Sequence, residues 1–127
     1  MKKYVYVDTA ALIALGNKTD SFHPLASQVN QRLIAEQYTF LTTNAVILEL
    51  ANAFSKVRYK PLVISLIEAI QHSPQWHYLT IDETLMAQGL SLFKQRLDKD
   101  WSLVDCLGIY LARLPQQTPF HAAGDHE

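Results

Sequence analysis

Hydrophobic and polar positions alternate between two rhythms along the chain. Tyr4-Val-Tyr-Val7 is a short run of β-branched and aromatic residues, the composition of a buried strand. Thr9 to Leu15 follows with helical character and stops at Gly16-Asn17, a C-terminal signal. Ser21 to Glu36 places Leu25, Val29, Leu33 and Ile34 at helical spacing and predicts a longer helix with that stripe as its apolar face. Tyr38 to Thr42 reads as a second strand. Asn44 then offers an N-cap to a helix through about Val57, with Val46, Leu50, Phe54 and Val57 on one face. Pro61 suits the first turn of a helix reaching about His72. Trp76 to Ile81 is a third strand, Asp82 caps a helix to about Leu97, and Ser102 caps another through about Arg113. Thr118 to Ala123 is a weak fourth strand.

Strands alternating with helical segments predict an α/β fold with a mostly parallel sheet between helical layers. In such sheets ligands bind outside the carboxyl ends of the strands. Asp8, Asp82 and Asp125 each follow a strand, so acids at strand ends are the recurring theme.

Composition narrows the classes. With 127 residues, 49% hydrophobic and 18% charged, the chain suits one folded domain over 1–127, with no repeat, linker or low-complexity tract. Its apolar runs fall short of the ~20 residues a membrane span requires. The start, Met-Lys-Lys-Tyr, lacks the apolar region of a signal peptide. The single Cys106 has no internal disulfide partner, which fits a reducing compartment; a cytoplasmic location is the expectation. A formal net charge of −1 gives no global electrostatic footprint for a polyanion. Any such partner is held by a local patch or through metal ions.

The motif inventory removes several chemistries. Four scattered glycines exclude the dinucleotide fingerprint and the P-loop, and there is no G-x-S-x-G, C-x-x-C or H-E-x-x-H. Carboxylates in apolar surroundings remain. Asp8 has the position of an N-cap as well as that of a strand-end site residue. Glu49 lies on a narrow polar stripe with Asn52 and Lys56, either solvated or projecting into a site. Ser102 and Asp105 have capping-box spacing, yet Asp105 also opens an apolar segment that would face the first strand. Asp98 and Asp100 read as loop charges, with Asp100 the better accessory candidate, and Asp125 alone reads as a tail residue. Converging carboxylates need a cation between them, and hard oxygen donors without thiolates or clustered imidazoles suit Mg²⁺ or Mn²⁺. Such ions act on phosphate esters.

Val5-Tyr-Val-Asp8-Thr-Ala-Ala-Leu-Ile-Ala-Leu15 resembles the opening strand and first acid of a PIN domain. Leu41-Thr-Thr-Asn-Ala-Val-Ile-Leu-Glu49-Leu-Ala resembles that family's second motif, Lys99-Asp-Trp-Ser-Leu-Val-Asp105-Cys its third, and Gly124-Asp125-His126 the start of its fourth. The acids are 41, 56 and 20 residues apart, ordinary intervals for bacterial members. The resemblance implies a three-layer α/β/α sandwich and a divalent-metal-dependent ribonuclease active on single-stranded RNA, with Mg²⁺ or Mn²⁺. It makes Asp8, Glu49, Asp105 and Asp125 the catalytic metal ligands, with Thr9 and Ser102 orienting ligands or water. Many bacterial members are VapC-type toxins held by an antitoxin, and many form homodimers. Members usually continue past the fourth acid, whereas this chain stops at Glu127, so its C-terminus reads as short.

RNA contact needs positive charge. Lys56, Arg58 and Lys60 alternate with non-basic residues around Tyr59 and suit phosphate contact with base stacking, or a solvated loop. Trp76 and Trp101 read as packing residues, Trp101 the nearer to the acids. The five histidines show no ligand spacing, and Cys106 reads as a small buried apolar residue. The rival reading is a catalytically weak PIN-like module that binds RNA or a protein partner. A phospho-acceptor receiver domain also places acids at strand ends, but the acceptor Asp and Lys arrangement is missing.

Overall fold

A computed structural model describes residues 3–114. The weak strand expected at Thr118 to Ala123 and the acid Asp125 lie outside them. Three parallel strands, β1 (Lys3–Tyr6), β2 (Tyr38–Thr43) and β3 (Trp76–Leu79), form a sheet in the order β1-β2-β3. Tyr4 pairs with Thr39 and Val5 with Phe40, while Phe40 pairs with Trp76 and Leu41 with His77. Helices α1 (Thr9–Gly16) and α2 (His23–Ala35) connect β1 to β2. Helices α3 (Asn44–Ala53) and α4 (Lys60–His72) connect β2 to β3, and α5 (Glu83–Gln95) and α6 (Leu103–Ala112) follow.

Strand periodicity sorts the core into two halves. Leu12 of α1, Val46 and Leu50 of α3, and Val63 and Ile70 of α4 form one buried cluster, with Val7, Trp76 and Tyr78 against it. On the opposite face Tyr4, Leu41 and Leu79 pack with Leu111 of α6, flanked by Leu85 of α5. The central strand is covered on both sides, so Phe40, Leu41, Thr42 and Thr43 are all buried. This is the three-layer α/β/α sandwich that the sequence predicts.

Three local expectations are corrected. Thr43, not Asn44, caps α3: its backbone is extended and its hydroxyl accepts the Val46 N–H at 3.3 Å. The Asn44 side chain instead accepts the Ile81 N–H at 2.8 Å, tying the end of β3 to the start of α3. Helix α3 stops at Ala53 with Phe54 as its C-cap, so Val57 leaves the apolar face and is 84% exposed. Helix α2 buries none of its residues, and Leu25 and Val29 stay 58% and 46% exposed. Its stripe borders an open trough with Val5, Phe40 and Trp76 rather than closing on the sheet.

Candidate active site

The carboxyl end of the sheet is stitched together before any acid is placed. The ladder continues past β1 through the Val7 N–H to the Leu41 carbonyl at 2.8 Å, and the buried Thr42 hydroxyl donates to the Val7 carbonyl at 3.1 Å. These two bonds fix the backbone immediately ahead of Asp8. Asp8 then caps α1, one carboxylate oxygen accepting the Ala11 N–H at 2.9 Å. An N-cap needs an acceptor with extended backbone, and the strand supplies the conformation. Both readings of Asp8 therefore meet in one residue, because the cap uses one oxygen and leaves the other for a ligand.

Glu49 projects from α3, whose Val46 and Leu50 are anchored in the core. The hydroxyl of Thr9, the first residue of α1, donates to Glu49 Oε1 at 2.5 Å. Asp105 lies in the first turn of α6. The capping box is complete: Ser102 Oγ accepts the Asp105 N–H at 3.0 Å, and Asp105 Oδ2 accepts the Ser102 N–H at 2.9 Å. As with Asp8, capping fixes the side chain and leaves one oxygen over.

Asp8, Thr9, Glu49 and Asp105 border one cleft of about 650 Å³, with Tyr6 and Trp101 among its other walls. Asp8 and Asp105 are exposed and Glu49 half-buried. Three carboxylates thus enter from the first turns of α1 and α6 and the second turn of α3. The positive ends of those helix dipoles offset part of their mutual repulsion. Tyr6 records the same convergence: burial pushes its phenol up to about 12, a hydrogen bond with the Thr43 side chain works against this, and the charges of Asp8, Glu49 and Asp105 push it further up. Gly108 of α6 lies on the Tyr6 ring so closely that a Cβ there would stand 2.6 Å from the ring edge.

The donor set, carboxylates with a hydroxyl, matches a hard divalent cation. Among the described residues no three His, Cys, Asp or Glu side chains come together as a metal cluster. Mg²⁺ commonly keeps several waters in its shell, so carboxylates spaced around a cleft could hold it partly through water.

Other predicted residues fall elsewhere. Ser102 acts on Asp105 from outside the cleft lining, and Asp100 is an exposed loop residue apart from it. Asp82 caps α5, and Asp98 pairs with Arg96. Lys56 and Arg58 stand on an exposed turn between α3 and α4, and Lys60 opens α4, none of them bordering the cleft. Tyr59 is occupied there, its ring meeting Phe54 edge-on at 5.6 Å and carrying Arg58 at 4.7 Å. Cys106 is fully buried. Sequence reasoning passed over Tyr6, although a strand period of two places it on the same side as Asp8. No described helix is long and apolar enough to cross a membrane.

No protein-family model and no curated protein matches the sequence. Among solved structures the chain is similar to VapC20 of Mycobacterium tuberculosis, described as a sarcin-ricin loop cleaving toxin. The likeness has a TM-score of 0.71 at 22% identity and covers 94% of each chain. With the parallel sheet between two helical layers, it establishes that the chain has the PIN-like α/β/α fold that VapC20 also adopts.

Proposed function

We infer that this protein is a divalent-metal-dependent endoribonuclease that hydrolyses phosphodiester bonds of single-stranded RNA, and that it is the toxin of a toxin–antitoxin pair. The observation that carries the reading is the meeting of Asp8, Glu49 and Asp105 at one open cleft beyond the strand ends. The likeness to a toxin that cleaves the sarcin-ricin loop supports the substrate class and the toxin role.

Asp8, Glu49 and Asp105 would hold Mg²⁺ or Mn²⁺, with Asp125 as a proposed fourth ligand. When bound, the cation supplies the positive charge that polarises a phosphodiester and acidifies water. The chain's own groups do the positioning. Thr9 points the Glu49 carboxylate, the box with Ser102 fixes Asp105, and the cap on α1 fixes Asp8. Oxygens not used in these bonds would be the ones that face the cation. Tyr6, uncharged at neutral pH, forms part of the wall without adding to the negative charge. Lys56, Arg58 and Lys60 are proposed contacts for the phosphates of a longer RNA.

Purified protein incubated with a single-stranded RNA oligonucleotide tests the reading. Cleavage is expected with Mg²⁺ or Mn²⁺ and is expected to vanish with EDTA; intact RNA under every metal condition overturns the assignment. Asp8, Glu49 and Asp105 border one cleft without forming a closed metal cluster among the described residues, and this supports a second reading, a module that binds RNA or a protein partner without cleaving. Titration calorimetry with Mn²⁺ separates the two, since no binding at millimolar concentration favours the module.

A further inference from the structure

The acids explain how a cation is held but not how a negatively charged strand comes to rest beside them. The chain has no excess of basic residues, so attraction has to be local. Next to Asp105 stands an aromatic ring with two cations over it, set among the acids Asp98 and Asp100. Trp101 immediately precedes the Ser102 cap, so its backbone is fixed by the same box that fixes Asp105. Its indole is half-buried and borders the acid cleft. It belongs to neither of the two apolar clusters that form the core.

Two cations attend the ring. The Arg96 guanidinium lies 5.1 Å and the Lys99 ammonium 6.0 Å from its centroid. Arg96 is in turn clamped by Asp98 through bonds of 3.0 and 2.9 Å, which holds the guanidinium in place and offsets its charge, leaving Lys99 as the cation to meet a phosphate. An aromatic ring with a cation beside it is the combination that single-stranded nucleic acid uses, here with a base on the part of the ring that the overlying cations leave open and a phosphate near Lys99. The other aromatic wall of the cleft, Tyr6, lies beneath Gly108 and is less available for stacking.

We propose that Trp101 is a positioning residue for the RNA: its indole stacks an unpaired base next to the phosphodiester at the acids, while Lys99 draws in the adjoining phosphate. This rests on the ribonuclease reading and adds to it the means by which the strand is registered against Asp8, Glu49 and Asp105. The acids would otherwise repel the strand that they are to cleave.

The test is binding of a fluorescein-labelled single-stranded RNA hexanucleotide, read by anisotropy on the full chain carrying Asp8→Asn so that cleavage does not intervene. Trp101→Ala in that background is expected to weaken binding about tenfold, the usual scale of one stacked base. Trp101→Phe, which keeps a stacking face, is expected to stay within about threefold of the parent. Hexanucleotides with one abasic position in turn then locate the base. At one position the abasic change is expected to weaken the parent and leave Trp101→Ala unaffected, closing the gap between them. A gap that survives at every position, equal affinities for Trp101→Ala and its parent, or no binding of the hexanucleotide at millimolar concentration overturns the proposal. Binding is measured apart from cleavage, so the two readings fail separately. A closed gap in a protein that cleaves no RNA removes the nuclease, and cleavage by a protein whose gap never closes removes the stack.

Discussion

Glu49 owes its orientation to one hydroxyl. It projects from the second turn of α3, while Thr9, which holds it, opens α1, so a 2.5 Å bond at the cleft adds to the core packing between these two helices. Thr9→Val keeps the branched shape and removes the donor. Cleavage is expected to fall about tenfold in kcat, since a hydrogen bond to a charged group is commonly worth 1.5–3 kcal/mol. Thr9→Ser is expected to restore most of it. Equal rates for the valine and native proteins would show that Glu49 needs no such support. The positions of Asp8 and Asp105 were legible in the sequence because strand ends and helix starts are marked by local pattern, whereas Glu49 stood out by its polar stripe and by motif resemblance. Tyr6 was not legible, and Trp101 read as a packing residue near the acids, because an aromatic in a strand or loop has the same local signature whether it fills the core or borders a cleft.

At the scale of elements, the helix caps and the candidate site carboxylates share residues. Asp8 and Asp105 are read equally well as helix caps and as site carboxylates, and the structure makes both readings true of their positions: each bonds the backbone with one oxygen at the cleft's edge. Sequence could not separate Thr43 from Asn44 as the cap of α3, since both are good caps and only the tie from Asn44 to Ile81 decides between them. The end of α3 was overrun for a related reason. Val57 continues the helical spacing, but Phe54 packs inward and the chain turns away after it. Sequence periodicity likewise marked the apolar stripe of α2 without revealing that it borders an open trough.

The packing of α6 on β1 sets a stricter condition. Gly108→Ala would bring a methyl within 2.6 Å of the Tyr6 ring, a rigid group hydrogen-bonded to Thr43. The helix-propensity gain from alanine is about 1 kcal/mol. The forced shift costs about 1–3 kcal/mol and is expected to prevail. Denaturant unfolding is expected to show a net loss of stability, and a more stable Gly108→Ala protein would contradict the close packing of α6 over the site.

For the molecule as a whole, the formal charge of −1 conceals an uneven distribution, with acids gathered at one end of the sheet. Tyr6 senses that gathering from within. In the unfolded chain its phenol ionises near its ordinary value of 10.0, but in the folded protein only at about 12. The stabilisation is complete below pH 10 and is lost as pH rises from 10 to 12, where the unfolded chain has released a proton that the folded one retains. In metal-free buffer, Tyr6→Phe is expected to lose less stability than the native protein across that window, read from thermal midpoints. Parallel curves would contradict a buried, charge-surrounded phenol. The PIN-like α/β/α arrangement was legible from the alternation of elements and from the motif resemblance. The fourth acid, Asp125, lies outside the described residues, and its role in the site is a proposal.

The central claim is that Asp8 and Asp105 act in one cation-dependent site. Asn is itself a good N-cap at position 8, and at position 105 its amide oxygen can still accept the Ser102 N–H, so Asp8→Asn and Asp105→Asn preserve the local geometry while each removes a charge. The decisive measurement is Mn²⁺-dependent cleavage of single-stranded RNA by the two purified variants beside the native protein, all three checked for equal folding. The account predicts cleavage by the native protein and a loss of about a hundredfold or more in each variant. Undiminished cleavage by both folded variants would contradict it.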